Sequence, residues 1–128
     1  MIEKVTPIIR SMGYQLIPYD NKYRLQKNNL FIDVGLNALD SINVYELVIT
    51  LPHSLQMDEA RLSHVLRQSI KDNLYIKTYE EKGLVSSLCT RNYFSFTICA
   101  NSESFKQTAQ CLEWAYKQFK ITIESIDP

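Results

Sequence analysis

The sequence predicts a single α+β domain over residues 1–128, with helices packed on a mainly antiparallel sheet. Three observations carry that reading. Apolar residues alternate across Tyr23–Val34 and Val44–Leu51, helical stripes occupy both ends and the middle, and the strand segments follow one another at hairpin spacing. The expected order is helix, three strands, helix, two or three strands, helix.

Ile2, Val5, Ile9 and Met12 recur at helical spacing, Pro7 is tolerable near a helix start, and Gly13 supplies a stop. Tyr14 to Asp20 has extended character but carries Pro18. Tyr23-Arg24-Leu25-Gln26-Lys27 then alternates, and Asn28-Asn29 predicts a tight hairpin into Leu30-Phe31-Ile32-Asp33-Val34, since asparagine tolerates positive φ. Gly35 to Ile42 reads as a turn-rich connection. Val44 to Leu51 gives a third strand with Tyr45, Leu47, Ile49 and Leu51 on one face, ended by Pro52.

Asp58 and Glu59 place negative charge in the first turn of a second helix, whose stripe is Leu62, Val65, Leu66 and Ile70. Asn73 is expected to close it. Leu74 to Tyr79 alternates, Glu80 to Gly83 reads as a turn, and Leu84 to Thr90 as the strand pairing back onto 74–79. Tyr93 to Ala100 is a strand with Phe94, Phe96 and Ile98 inward. Ser102, with Glu103 behind it, is expected to cap a long last helix.

The chain holds 14 Lys plus Arg against 14 Asp plus Glu, so no global field draws in nucleic acid or an anionic membrane. No secretion signal and no apolar span is read at the start, and the cytoplasm is the expected compartment. Cys89, Cys99 and Cys111 are an odd count without close pairing, as in ordinary buried thiols of a reducing compartment.

No chemistry-bearing motif stands out, and no cofactor is expected. His53 lies in a loop, and His64 lies about 200° around its helix from Leu62, on the polar side. Neither has a metal-ligand neighbour at helical spacing. The three glycines, Gly13, Gly35 and Gly83, are isolated, so no phosphate cradle is read. The cysteines look structural, and the adjacent carboxylates Asp58-Glu59 and Glu80-Glu81 suit solvated helix-start and turn positions. Catalytic residues: none. Lys22, Arg24 and Lys27 beside Tyr19 and Tyr23 read as a solvated hairpin in preference to a nucleic-acid surface.

Two places point to a protein partner. On the last helix Phe105, Ala109, Leu112, Tyr116 and Phe119 fall within roughly 40° of one line, which marks the core stripe. Trp114 points the other way, among Gln107, Gln110, Lys117 and Ile121; it anchors an interface unless a loop or the chain end covers it. The sheet face opposite the core rows collects Phe31, Val44, Val48, Val85 and Tyr93 beside Asp33 and Glu46, too apolar for a purely solvated surface. A helix of the same chain is the leading expectation for its cover, and another chain the alternative. Protein-binding candidates are therefore Trp114, Gln110, Lys117, Phe31, Val44, Val48 and Tyr93.

In element order and length the chain resembles the type III secretion chaperone-like family, small cytoplasmic bacterial proteins. That resemblance implies a homodimer that holds an effector's apolar segment, without catalysis. The neutral charge departs from those acidic chaperones, so no effector-binding residue is carried across. The expected function is binding of an apolar segment of a client protein. The alternative is a small inhibitor or immunity protein that blocks a toxin or a host enzyme.

Overall fold

A computed structural model describes residues 1–126. After a single 3₁₀ turn at Ile2–Lys4, the elements are α1 (Thr6–Ser11), β1 (Gln15–Tyr19), β2 (Lys22–Lys27), β3 (Leu30–Leu36), β4 (Tyr45–Pro52), α2 (Glu59–Gln68), α3 (Leu74–Glu81), β5 (Val85–Cys89), β6 (Tyr93–Ala100) and α4 (Phe105–Ile126). The fold is α+β, as the alternation implies. One six-stranded antiparallel sheet runs β1-β2-β3-β4-β6-β5, so the last strand of the chain sits inside the sheet, between β4 and β5.

The local chemistry explains most boundaries. Pro7 occupies the first turn of α1, where its missing N–H has no intrahelical role, and Gly13 (φ 86°) takes the left-handed position behind the helix. Asn28 (φ 55°) turns β2 into β3 as its residue type implies. The segment with Pro18 is a strand after all, joined to β2 by Asp20 and Asn21 at φ 50° and 66°, the two positive values a type I′ turn requires. Pro18 is tolerated because β1 is an edge strand with only one neighbour to satisfy.

Residues 74–79 form a helix, not a strand. Asn73 does not end α2, which stops at Gln68; its side chain instead accepts the Ile76 N–H at 2.9 Å and starts α3. Ile76 and Tyr79 then face inward at helical spacing, and Tyr75 stacks on Tyr79 with ring centroids 4.5 Å apart. A six-residue segment with apolar groups at 74, 75, 76 and 79 fits either period, and the cap decided between them. Freed of that pairing, β5 joins β6. The start of α4 also differs in detail: Asn101 Oδ1 accepts the Ser104 N–H and Ser104 Oγ accepts the Asn101 N–H, a reciprocal exchange that does not involve Ser102.

The core lies on one face of the sheet. Register aligns Val34, Leu47, Ile98 and Val85 across four strands, with Ile49–Phe96 and Leu51–Phe94 in the rows beside them. Onto these rows α4 lays Phe105, Ala109, Leu112 and Phe119, while α2 adds Leu62 and Leu66, and α1 adds Ile9, all buried. Phe119 meets Phe94 and Phe96 edge-on at 5.0 and 5.3 Å, and Phe105 meets Tyr45 at 5.5 Å. Each such ring contributes about 1.5–3 kcal/mol by burial.

Asn73→Ala is expected to lower the unfolding free energy by about 1 kcal/mol, with Asn73→Asp retaining most of it. Urea unfolding measures the difference; a neutral Asn73→Ala would mean that the Asn73 cap does not set the start of α3.

Candidate interaction surface

Every helix packs on the core side, so no element among the described residues covers the other sheet face. The expected helical cover is absent. One row crosses all six strands on that open face: Ile17, Arg24, Asp33, Val48, Thr97 and Ser86. Arg24 donates from Nε and Nη2 to the two Asp33 oxygens at 2.8 and 3.2 Å, and its guanidinium lies 3.8 Å from the Tyr19 ring centre and 4.9 Å from that of Phe31. The Asp33 bonds hold Arg24 above its already high basicity. This half of the face is an aromatic clamp around a neutralised ion pair.

The other half carries exposed apolar groups. Leu88 and Tyr93 are 63% and 52% exposed, and Pro52 lies directly across from Tyr93. Phe31, Val48 and Tyr93 therefore lie on the open face as the alternation implies. Val85 does not: it sits opposite Ile98 on the core side, and Leu88 is the outward residue. Val44 is partly buried at the end of the sheet, beside Met1, Lys4 and Ile42.

The edge strands differ. β1 carries Pro18, which removes a backbone donor, whereas β5 (Val85-Ser86-Ser87-Leu88-Cys89) holds neither proline nor charge. The Cys99 N–H donates to Leu84 O and the Thr90 N–H to Tyr93 O. Antiparallel alternation then turns the backbone N–H and C=O of Val85, Ser87 and Cys89 away from β6, toward solvent.

Trp114 is 38% exposed on the outward side of α4, between exposed Gln110 and Lys117, as its helical angle implies. The chain after it continues as helix to Ile126, so the described residues do not fold back over it; residues 127 and 128 of the chain end lie outside the described residues. Because α4 lies on the core face, the Trp114 group and the open-face group point to opposite sides of the molecule and form no single site.

The turn-rich connection between β3 and β4 forms a defined loop. Asp40 accepts the N–H of Ile42 and of Asn43 at 2.8 and 3.0 Å, and Asn37 Oδ1 accepts the Leu39 N–H at 3.0 Å. These bonds hold the Asp40 carboxyl below its ordinary range and fix a turn that leaves Leu39 98% and Ile42 71% exposed. The density of Asn and Asp over 37–43 is the signal that marks it.

The groups considered for catalysis occupy structural positions. His53 Nε2 bonds Thr90 O at 2.9 Å, tying the 53–55 loop to the β5–β6 turn, and Nδ1 accepts the Leu55 N–H at 3.2 Å within the loop itself. All three cysteines are free thiols whose pKa burial pushes up, Cys111 to about 11. Asp58 caps α2 through the Arg61 N–H, and Glu80 pairs with Arg67. No group of three His, Cys, Asp or Glu among the described residues is placed to hold a metal ion, and no helix there is long and apolar enough to cross a membrane. No family model, curated protein or solved structure matches the chain.

Two measurements follow from these burials. Cys111, and with it the buried hydroxyls of Tyr14 and Tyr75, which burial also raises, stays protonated in the fold after the unfolded chain has ionised. Stability fully present below about pH 9 should fall by about 2 kcal/mol from Cys111 alone as pH rises to about 11, and Cys111→Ala should flatten that part of the urea-midpoint profile. Trp114→Ala should cost no more than about 1.5 kcal/mol, against about 3–5 for Phe119→Ala; equal losses would place the tryptophan in the core.

Proposed function

We propose that the chain is a non-enzymatic protein-binding domain of the cytoplasm, acting as the secretion chaperones it resembles do, by holding an apolar segment of a client protein. The observation that carries this reading is the one-sided packing: a complete sheet face and one neutral edge are left without cover. On that face Phe31, Val48, Leu88 and Tyr93 supply apolar contact for the client segment.

The same edge supports a homodimer. Two copies of β5 pair antiparallel about Ser87, with Val85 opposite the second copy's Cys89; no charge meets its own image, the condition a two-fold contact imposes on a strand. Free thiols at 89, 99 and 111 fit the reducing compartment.

The inhibitor or immunity reading draws on a different observation. The Asp40 turn presents Leu39 and Ile42 as a fixed apolar prong, a shape that fits a cleft in a target protein.

Leu88→Lys changes a mostly exposed residue and should leave folding within about 0.5 kcal/mol. Light scattering should show the dimer reduced to monomer, and affinity capture with mass spectrometry should show the retained client lost. A protein that is monomeric at every concentration and retains its partner in Leu88→Lys but loses it in Leu39→Ser would replace the chaperone reading with the inhibitor one.

A further inference from the structure

A second surface lies on the helical side, away from the open sheet face. Along one flank of α4, between that helix and the ends of the strands, three shallow clefts follow one another. The first, 270 Å³, lies between the β2–β3 turn and Glu113, Tyr116, Lys117 and Lys120. The second, 220 Å³, shares Tyr116 and Lys120 with it and adds Leu51, Pro52, Ile123 and Glu124. A third, which shares no lining residue with the second, lies one helical turn beyond Ile123, at Ile126 with Leu55 and Met57.

Glu113 to Ile126 spans about 20 Å of helix, the length of about six extended residues. The floor of this groove is apolar, formed by Leu30, Leu51, Tyr116, Ile123 and Ile126.

Its charges are unevenly placed. Lys27 is already engaged, donating to Met12 O at 3.2 Å, lying 3.2 Å from Glu113, and capping the Tyr14 ring at 4.5 Å. Glu113 is thereby neutralised. Lys117 and Lys120 take part in no ion pair among the described residues, and Trp114 stands one turn before Lys117. Past them the only carboxylate among the described residues lining the groove is Glu124, one turn beyond Lys120. The first half of the groove is therefore cationic over an apolar floor, and the second half repels an acidic residue.

We infer that this groove binds an extended segment of a partner protein about six residues long, acidic at the end that lies on Lys117 and Lys120 and apolar where it passes Ile123 and Ile126. Electrostatic complementarity sets its direction: the carboxylates cannot lie beside Glu124. The site meets the sheet face only at Pro52 and shares no residue with β5.

The test uses the whole chain and an acetylated ten-residue peptide, three glutamates followed by alternating leucine and serine. Trp114, the single tryptophan, reports binding by its own fluorescence. The doubly reversed variant Lys117→Glu with Lys120→Glu, whose folding is checked by circular dichroism, should bind about tenfold more weakly, the size of two partly exposed charge pairs. It should regain affinity for the peptide with lysines in place of the glutamates. Leu88→Lys should bind the acidic peptide normally, which separates this site from the client-binding face.

Absence of a saturable fluorescence change at millimolar peptide, equal binding of the acidic and basic peptides by the native chain, or failure of the charge-reversed pair to recover would each overturn the inference. So would displacement of the peptide by a single-stranded oligonucleotide, which would assign the lysines to phosphate.

Discussion

Phe119 enters the angle between Phe94 and Phe96, two rings on the same side of the interior strand β6, and meets both edge-on. That wedge fixes the position of α4 along the sheet, and the other elements take their places from α4. Phe105, four turns earlier, reaches Tyr45 at the far end of the neighbouring strand, whose hydroxyl in turn donates to the Met1 carbonyl at 2.6 Å. Thr108 meets Tyr75 of α3, and Glu113 meets Lys27 of β2. One helix thus ties down both ends of the chain and both halves of the sheet. Aromatic pairs of this geometry add about 0.5–1.5 kcal/mol each beyond their burial, and three involve residues of α4.

Since every helix packs on one face, nothing among the described residues remains to shield the other. The open face is kept soluble in part by the Arg24–Asp33 pair, which sits across β2 and β3 at mirror positions about Asn28-Asn29. A bidentate pair clasped by Tyr19 and Phe31 presents flat, weakly hydrated surface in place of a bare charge.

Much of this was legible from residue order. The faces of β4 and β6, the stripe of α4 and the outward angle of Trp114 follow from period alone, because each segment is long enough to repeat its pattern several times. The errors fall where segments are short. Residues 74–79 satisfied both a strand and a helix, and only the capping behaviour of Asn73 separates them. Val85 was assigned to the wrong face by a slip of one residue, which inverts every side chain of a strand. Strand order and helix placement were not legible at all: that β6 lies between β4 and β5, and that all helices share a side, are decided by contacts between residues far apart in the chain.

The position of β6 also sets an order of assembly. The first four strands pair with one another in sequence order, through two tight turns and the 37–44 loop, and α2 and α3 are closed by local bonds, so these parts meet small loop-closure entropies. Neither β4 nor β5 has its shared partner until residues 93–100 arrive, when Tyr45 must find Ala100 and Pro52 must find Tyr93. During synthesis the growing chain therefore carries a half-built sheet with a bare inner edge, and the step that closes it is the long-range and slow one. The unit that closes it, the β5–β6 hairpin with α4, is also the unit that two chains can trade if closure is delayed, giving an exchanged dimer with the same contacts as the monomer.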